Sequence, residues 1–137
     1  MLKHNITLVI ATYNGARTLS KTLASINELE IPDYCEFNVI IIDNNSNDDT
    51  SELLTEYHCQ HILAKLRQTK QGKNAALNLI FEGDVALGEL LIFSDDDVIF
   101  PEDFVKRYLE LIIEQPEISI FGGAVITHWP NEVPHKI

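Results

Sequence analysis

Basic residues are scarce in this sequence. Its 137 residues carry 10 Lys and Arg against 21 Asp and Glu, a formal net charge of −11 at pH 7. Nonspecific nucleic-acid binding needs a basic face, so that class of function is excluded. A phosphorylated ligand would be drawn by local cations and a bound metal, not by the overall field. Cysteine is nearly absent as well. Cys35 and Cys59 are isolated thiols without metal-binding or redox spacing, and no disulfide is expected in a chain read as intracellular. No apolar run approaches the ~20 residues that span a bilayer. The start, Met1 to Asn5, turns directly into a strand, so no signal peptide is expected. The expected location is the cytoplasm, with peripheral attachment to the inner face of a membrane left open. A Gly-x-Gly-x-x-Gly run after the first strand and a Walker loop are both missing, which argues against dinucleotide binding and P-loop chemistry. No Ser-His-Asp arrangement has a supporting context. There is no internal repeat, low-complexity stretch or linker, so one domain is expected over residues 1–137.

What is present is a run of apolar stretches, each followed by polar residues. Ile6 to Ala11 reads as a buried parallel strand, and Thr12-Tyr13-Asn14-Gly15 as the turn after it. Ala16, Leu19, Leu23 and Ile26 recur at helical spacing. Phe37 to Ile42 is a second buried strand, closed by Asp43. Asn44 to Asp49 is a dense turn signal in which Asp48 or Asp49 is a candidate N-cap. Leu53, Leu54 and Tyr57 mark the helix behind it. Ile62 to Leu66 reads as a short strand, and Gly72-Lys73-Asn74 opens a helix with Ala76, Leu77, Ile80 and Phe81 as its apolar positions. Leu90 to Ser94 reads as a buried strand that runs straight into Asp95-Asp96-Asp97. Pro101-Glu102-Asp103 suits a first helical turn, ahead of a face made by Phe104, Val105, Tyr108, Leu109 and Ile112. Ile118 to Phe121 is expected as a last strand ending at Gly122-Gly123. The tail from His128 to Ile137 has two prolines and no periodicity. The order β-α-β-α-β-α-β-α-β predicts an α/β fold with a mostly parallel, doubly wound, Rossmann-like sheet.

A parallel sheet gathers its strand ends on one edge, where ligands bind. Thr12, Tyr13 and Asn14, then Asp43, Asn44 and Asn45, then the Asp triplet all fall on that edge. Three adjacent carboxylates repel one another unless something positive joins them. A hard divalent cation, Mg²⁺ or Mn²⁺, suits such a site and keeps substrate phosphate in its shell. Tyr13 could offer a ring to a base, Thr12 a hydroxyl, and Asp43 an acceptor for a pyrimidine N–H. Lys73 and the helix start behind Gly72 could both meet a phosphate. Taken one at a time, these residues equally suit helix caps, turns and solvated surface. His128 and His135 are read as solvated tail residues rather than metal ligands. A sugar-phosphate nucleotidyltransferase would need a glycine-rich loop after the first strand, and a receiver domain would need paired acids there. Ala11 to Gly15 supplies neither.

Taken in order, Ile10-Ala11-Thr12-Tyr13-Asn14, Ile42-Asp43-Asn44-Asn45-Ser46-Asn47-Asp48-Asp49-Thr50, Gly72-Lys73-Asn74-Ala75-Ala76-Leu77-Asn78 and Ser94-Asp95-Asp96-Asp97 resemble the successive motifs of family 2 glycosyltransferases. The resemblance covers nearly the whole chain. It implies the nucleotide-diphospho-sugar (GT-A) fold and inverting, metal-dependent transfer from a nucleotide-diphosphate sugar, commonly a UDP-sugar, to an acceptor hydroxyl, as in polysaccharide biosynthesis. The acceptor could be a saccharide, a lipid-linked saccharide or a protein glycan. By the same resemblance Thr12, Tyr13, Asn14 and Asn45 would line the nucleotide pocket and Asp43 would contact the base. Lys73 and Asn78 would lie near nucleotide and sugar. Asp95-Asp96-Asp97 would form the D-x-D motif, with Asp95 and Asp96 towards ribose or sugar and Asp97 holding the divalent metal, Mn²⁺ or Mg²⁺. Gly122-Gly123 would let backbone pass close to substrate. Leu77 stands where many relatives have Arg, and no role transfers to it. His128-Trp129-Pro130 resembles the approach to an acceptor-binding half that carries the general base. Glu132 is the only late carboxylate and has no supporting context. The chain is therefore expected to be the donor half, truncated before the acceptor half. The alternative is a nucleotide-sugar-binding or interaction module without turnover.

Overall fold

A computed structural model describes residues 3–128. Four strands form the sheet: β1 (His4–Thr12), β2 (Cys35–Asp43), β3 (Ile62–Arg67) and β4 (Leu90–Ser94). Every pairing is parallel, and the order is β3-β2-β1-β4. Four helices connect and flank them: α1 (Leu19–Asn27), α2 (Thr50–Glu56), α3 (Lys73–Glu82) and α4 (Phe104–Glu114). The expected parallel α/β architecture is therefore present.

β1 and β2 are apolar on both sides because both faces of the sheet are covered. Ile6, Leu8 and Ile10 point to one face, where Leu19, Leu23 and Ile26 of α1, Leu54 of α2 and Val105 and Leu109 of α4 meet them. Val9, Ile40 and Ile42 point to the other, against Ala76 and Ile80 of α3. Period-2 strands and period-3.6 helices thus supply complementary faces.

Several sequence expectations need correction. The Leu90–Ser94 strand is not buried: only Ile92 is, and Phe93 is 49% exposed. β4 is the edge of the sheet, so its apolar residues are half covered. Phe81 of α3 is also exposed, lying outside the stripe made by Ala76 and Ile80. Ile118 to Phe121 forms no strand. Its apolar, β-branched residues favour a pleated surface, yet a strand needs a ladder partner. Ile118 N–H turns back to the Gln115 carbonyl, and Ile120 is 88% exposed. Pro101-Glu102-Asp103 is a turn ahead of α4, whose N-cap position is Asp103. At the far end, Gly123 approaches the Tyr108 hydroxyl, 2.6 Å from where a Cβ would sit, while Gly122 is open. Trp129, Pro130, Glu132 and His135 lie outside the described residues.

Gly88 sets how β4 enters the sheet. Its N–H donates to Thr7 Oγ1 at 2.8 Å. A Cβ on Gly88 would overlap the backbone carbonyl of Asn5, which has no side-chain freedom to yield. Gly83 has only an ordinary contact, Leu79 carbonyl at 3.8 Å. We expect Gly88→Ala to lower unfolding free energy by about 1–3 kcal/mol, as overpacking does, and Gly83→Ala by less than about 0.5 kcal/mol. Urea denaturation of both variants checks this; equal midpoints would contradict it.

Candidate active site

In a parallel sheet of order β3-β2-β1-β4, the chain reverses direction of travel between β1 and β4, and a crevice opens there beyond the strand ends. Thr12 ends β1 and Asp95-Asp96-Asp97 follow β4. A cavity of about 440 Å³ lies at this point, lined by Thr12, Tyr13, Asn44, Lys73, Asp95 and Asp96 among others. Five of the predicted site residues are thus brought together: Thr12, Tyr13, Lys73, Asp95 and Asp96.

The Asp triplet is separated by partners. Asp95 is ion-paired with Lys73 Nζ. Asp96 Oδ2 accepts from Thr12 Oγ1 at 2.5 Å across the crevice. Gly15 is glycine for this reason: a Cβ there would overlap both members of that bond. The ion pairs among the described residues are His4–Glu89, Arg67–Asp43, Lys73–Asp95 and Arg107–Asp103, so Asp97 has none, and it is exposed.

α1 fastens the acidic turn. The buried Thr22 Oγ1 donates to the Asp96 carbonyl at 2.9 Å, and Ser25 Oγ accepts from Phe100 N–H at 3.1 Å. Both residues lie on α1 beside its apolar stripe, and periodicity alone marks them only as part of a helix.

Asp43 closes β2 in a row with Thr12 and Arg67 on its neighbours, since Thr12 pairs with Asp43 and Asp43 with Arg67. Asp43 is 4% exposed. Its Oδ1 accepts from Ser46 N–H at 3.0 Å, its Oδ2 accepts from Ser51 Oγ, and Arg67 Nη1 stands 3.9 Å away. It lines a separate cavity of about 200 Å³ with Ser51, Lys65 and Arg67. Burial pushes its pKa up, but the bonds from Ser46 and Ser51 and the Arg67 charge outweigh that and hold the carboxyl below its ordinary value. Arg67 also donates to Asn45 Oδ1 at 3.3 Å. Nothing in the sequence marked Arg67, because it lies at the end of a short alternating strand.

Asn14 and Asn45 both adopt left-handed backbone, with φ of 51° and 61°, a conformation asparagine tolerates. Asn14 Oδ1 accepts from Asn47 N–H at 2.9 Å, and Asn14 N–H donates to Ser46 Oγ at 2.9 Å. These two residues shape the loops around the crevice. Asp48 Oδ1 accepts from Thr50 N–H, and Oδ2 from Ala16 N–H. The side-chain cap of α2 is therefore Asp48, although Asp49 holds the N-cap position and makes no such bond. Asn78 is exposed on the second turn of α3 and lines neither cavity.

No group of three or more His, Cys, Asp or Glu side chains converges to hold a metal among the described residues. Mg²⁺ or Mn²⁺ does not need one: one or two carboxylates suffice when phosphates and waters complete the shell. Asp97 lines neither cavity, but it is exposed and unpaired on the same turn as Asp95 and Asp96 and leaves a carboxylate free for such an ion. No helix among the described residues is long and apolar enough to cross a membrane.

The profile of the family described as Glycosyl transferase family 2 matches residues 7–135. Among curated proteins, the chain is 31% identical over 113 residues to an undecaprenyl-phosphate 4-deoxy-4-formamido-L-arabinose transferase of Pectobacterium atrosepticum, covering 77% of this chain and 33% of that protein. It is 30% identical over 120 residues to a poly-beta-1,6-N-acetyl-D-glucosamine synthase of Staphylococcus epidermidis, covering 86% and 28%. Among solved structures, a mannosyltransferase of Pyrobaculum calidifontis in complex with GDP-Man and Mn²⁺ superposes with a TM-score of 0.69 and 26% identity, covering 82% of this chain and 33% of that one. Staphylococcus aureus TarS 1-349 in complex with UDP-GlcNAc gives 0.66 at 22% identity, covering 82% and 32%, a likeness of fold. The chain spans about a third of the length of the proteins it matches.

Asp43 gives the site a pH signature. A carboxyl whose folded pKa is depressed contributes stability above its unfolded value, about 3.9, and loses it as pH falls through the folded value. We expect the urea midpoint of the wild-type chain to fall below about pH 4, and Asp43→Asn to be less stable at neutral pH with a flatter acid limb. Parallel acid limbs in the two proteins would refute the assignment.

Proposed function

The chain belongs to glycosyl transferase family 2, and from that premise we propose that it is the donor-binding part of an inverting, metal-dependent glycosyltransferase. The observation that carries the reading is the crevice between β1 and β4, where Lys73, Thr12 and the acidic turn meet at one cavity. The GT-A architecture of the structural neighbours supports the same reading.

The ligand is a nucleotide-diphosphate sugar. Tyr13, 51% exposed at the cavity, presents its ring to the base. Asp43 still has lone pairs for a base N–H, as a carboxylate accepts at about four sites, and Arg67 and Asn45 border that end. Lys73, at the start of α3, serves the diphosphate with its charge and the helix N-terminus. Asp95 and Asp96 face ribose and sugar, Asn14 ties the loop after β1 to the loop after β2, and Asn78 stands further out on α3. Asp97 is the residue that would hold Mn²⁺ or Mg²⁺.

An acceptor hydroxyl attacks the anomeric carbon from the side opposite the nucleoside diphosphate, and inversion follows. When bound, a divalent ion offsets the charge gathering on the departing diphosphate. Lys73 adds to that offset, at a point where charge develops in the transition state. We assign no residue of this chain as the base that takes the acceptor proton. The acceptor is a saccharide, free or carried on lipid or protein.

Calorimetric titration of UDP, with and without Mn²⁺, tests this reading. We expect binding that requires the metal and falls at least about tenfold in Asp97→Ala, the loss of one charge-assisted contact. Retained affinity in Asp97→Ala would remove Asp97 from the metal site. Failure of the folded chain to bind UDP, GDP and dTDP alike would overturn the donor-site reading.

A further inference from the structure

Asn44 is 4% exposed and borders the 440 Å³ cavity, and all three of its side-chain bonds go to backbone groups. It follows Asp43 at the end of β2, where its N–H donates to the Thr12 carbonyl at 2.8 Å and prolongs the ladder. Its side chain crosses to the loop between β3 and α3. Nδ2 donates to the Gln68 carbonyl at 3.1 Å and the Lys70 carbonyl at 2.7 Å, while Oδ1 accepts from Gly72 N–H at 2.9 Å. One buried amide thus satisfies three backbone groups of a loop that has no secondary structure of its own. The geometry needs both a donor pair and an acceptor at one position, and asparagine supplies them.

The loop leads directly to Lys73. Gly72, the residue bonded to Asn44, has φ of +123°, a conformation open to glycine and unfavourable for other residues. From there the chain turns into α3, and Ala76 N–H bonds the Gly72 carbonyl. Where Gly72 sits therefore decides where α3 begins and where the Lys73 ammonium lies relative to Asp95 and the cavity. Gln68 reinforces the loop by accepting from Lys70 N–H at 2.9 Å and donating to the Ala75 carbonyl at 3.2 Å.

We propose that Asn44 is the positioning residue that fixes the 68–72 loop to the end of β2 and so aims Lys73 at the phosphate end of the cavity. The inference rests on the reading of that cavity as a nucleotide-diphosphate site. Asn44 borders the same cavity, and the role proposed for it is exerted through the placement of Lys73.

The test combines amide hydrogen exchange on the ligand-free chain with UDP–Mn²⁺ titration of Asn44→Ala, Asn44→Asp, Lys73→Ala and the Asn44→Ala/Lys73→Ala double variant. Asn44→Asp keeps the shape and the bond from Gly72, but sets a carboxylate against two carbonyls, so it probes the same role in a chain of unchanged packing. Amides of residues 70–73 are expected to exchange about tenfold faster or more in both Asn44 variants, with β1 and β2 protected as in the wild type. Asn44→Ala and Lys73→Ala are each expected to weaken UDP binding about tenfold, and the double variant little further, because both remove one contact. Additive losses in the double variant, or unchanged loop exchange in both Asn44 variants, would overturn the proposal. A wild-type chain that binds none of UDP, GDP and dTDP would instead bring down the cavity reading on which it rests. Wild-type binding retained in both Asn44 variants would sink this inference alone.

Discussion

Mutual repulsion of three carboxylates at the end of one strand is the constraint the site is built around. Adjacent ionised acids raise one another's energy unless each finds a partner or stays in water. Here the three are treated differently. Asp95 has Lys73, Asp96 has the Thr12 hydroxyl, and Asp97 is left to solvent. Each solution draws in a different element. Lys73 comes from α3, Thr12 from β1, and the backbone of the turn is held by Thr22 and Ser25 of α1. The acidic turn is thus where helices from both faces of the sheet have to agree with its central strand.

The topology makes that agreement possible. With β1 between β2 and β4, one edge of the sheet brings together residues that are far apart in sequence. Thr12, Asp43 and Arg67 lie in register along it. Asn14, Ser46 and Asp48 then tie the loop after β1 to the loop after β2 by bonds to Asn47, Asn14 and Ala16. Loops alone would be mobile. Here each leans on the other: Asp48 holds Ala16, and Ser46 links Asn14 to Asp43.

Much of this was legible in the sequence, for a physical reason. Buried parallel strands write themselves as unbroken apolar runs, so Ile6 to Ala11 and Phe37 to Ile42 were found. The polar residues that end them fall on one edge by geometry alone. That is why Thr12, Tyr13, Asp95 and Asp96 group on one edge in the sequence, while Lys73 enters only as the start of a helix. What composition does not encode is partnership. Ile118 to Phe121 has the residues of a strand but no neighbour to pair with, and Leu90 to Ser94 has those of a central strand yet stands at the edge. Asp48 and Asp49 were equivalent candidates until one carboxylate turned towards Thr50. Arg67 gave no signal and Asn44 only its place among the polar residues after β2, because their roles depend on distances across the fold and not on spacing along the chain.

The unequal treatment of the three acids also bears on how a cation would be held. A preformed cage of three carboxylates would bind a metal without any nucleotide, and would carry the full cost of their repulsion while empty. Here two of the three are already engaged, Asp95 with Lys73 and Asp96 with Thr12, which lowers that cost. One free carboxylate is a poor ligand set for Mg²⁺ or Mn²⁺, which take most of their remaining oxygens from water and phosphate. In the proposed site the diphosphate would therefore supply what the protein withholds, and cation and nucleotide would bind as a linked pair. Lys73 sits at the hinge of that linkage. Its ammonium pairs with Asp95 and lines the cavity where a phosphate would enter. Exchanging one anionic partner for another requires an ammonium that is aimed but not locked, and a lysine at the first position of a helix, behind a loop fixed by Asn44, meets both requirements.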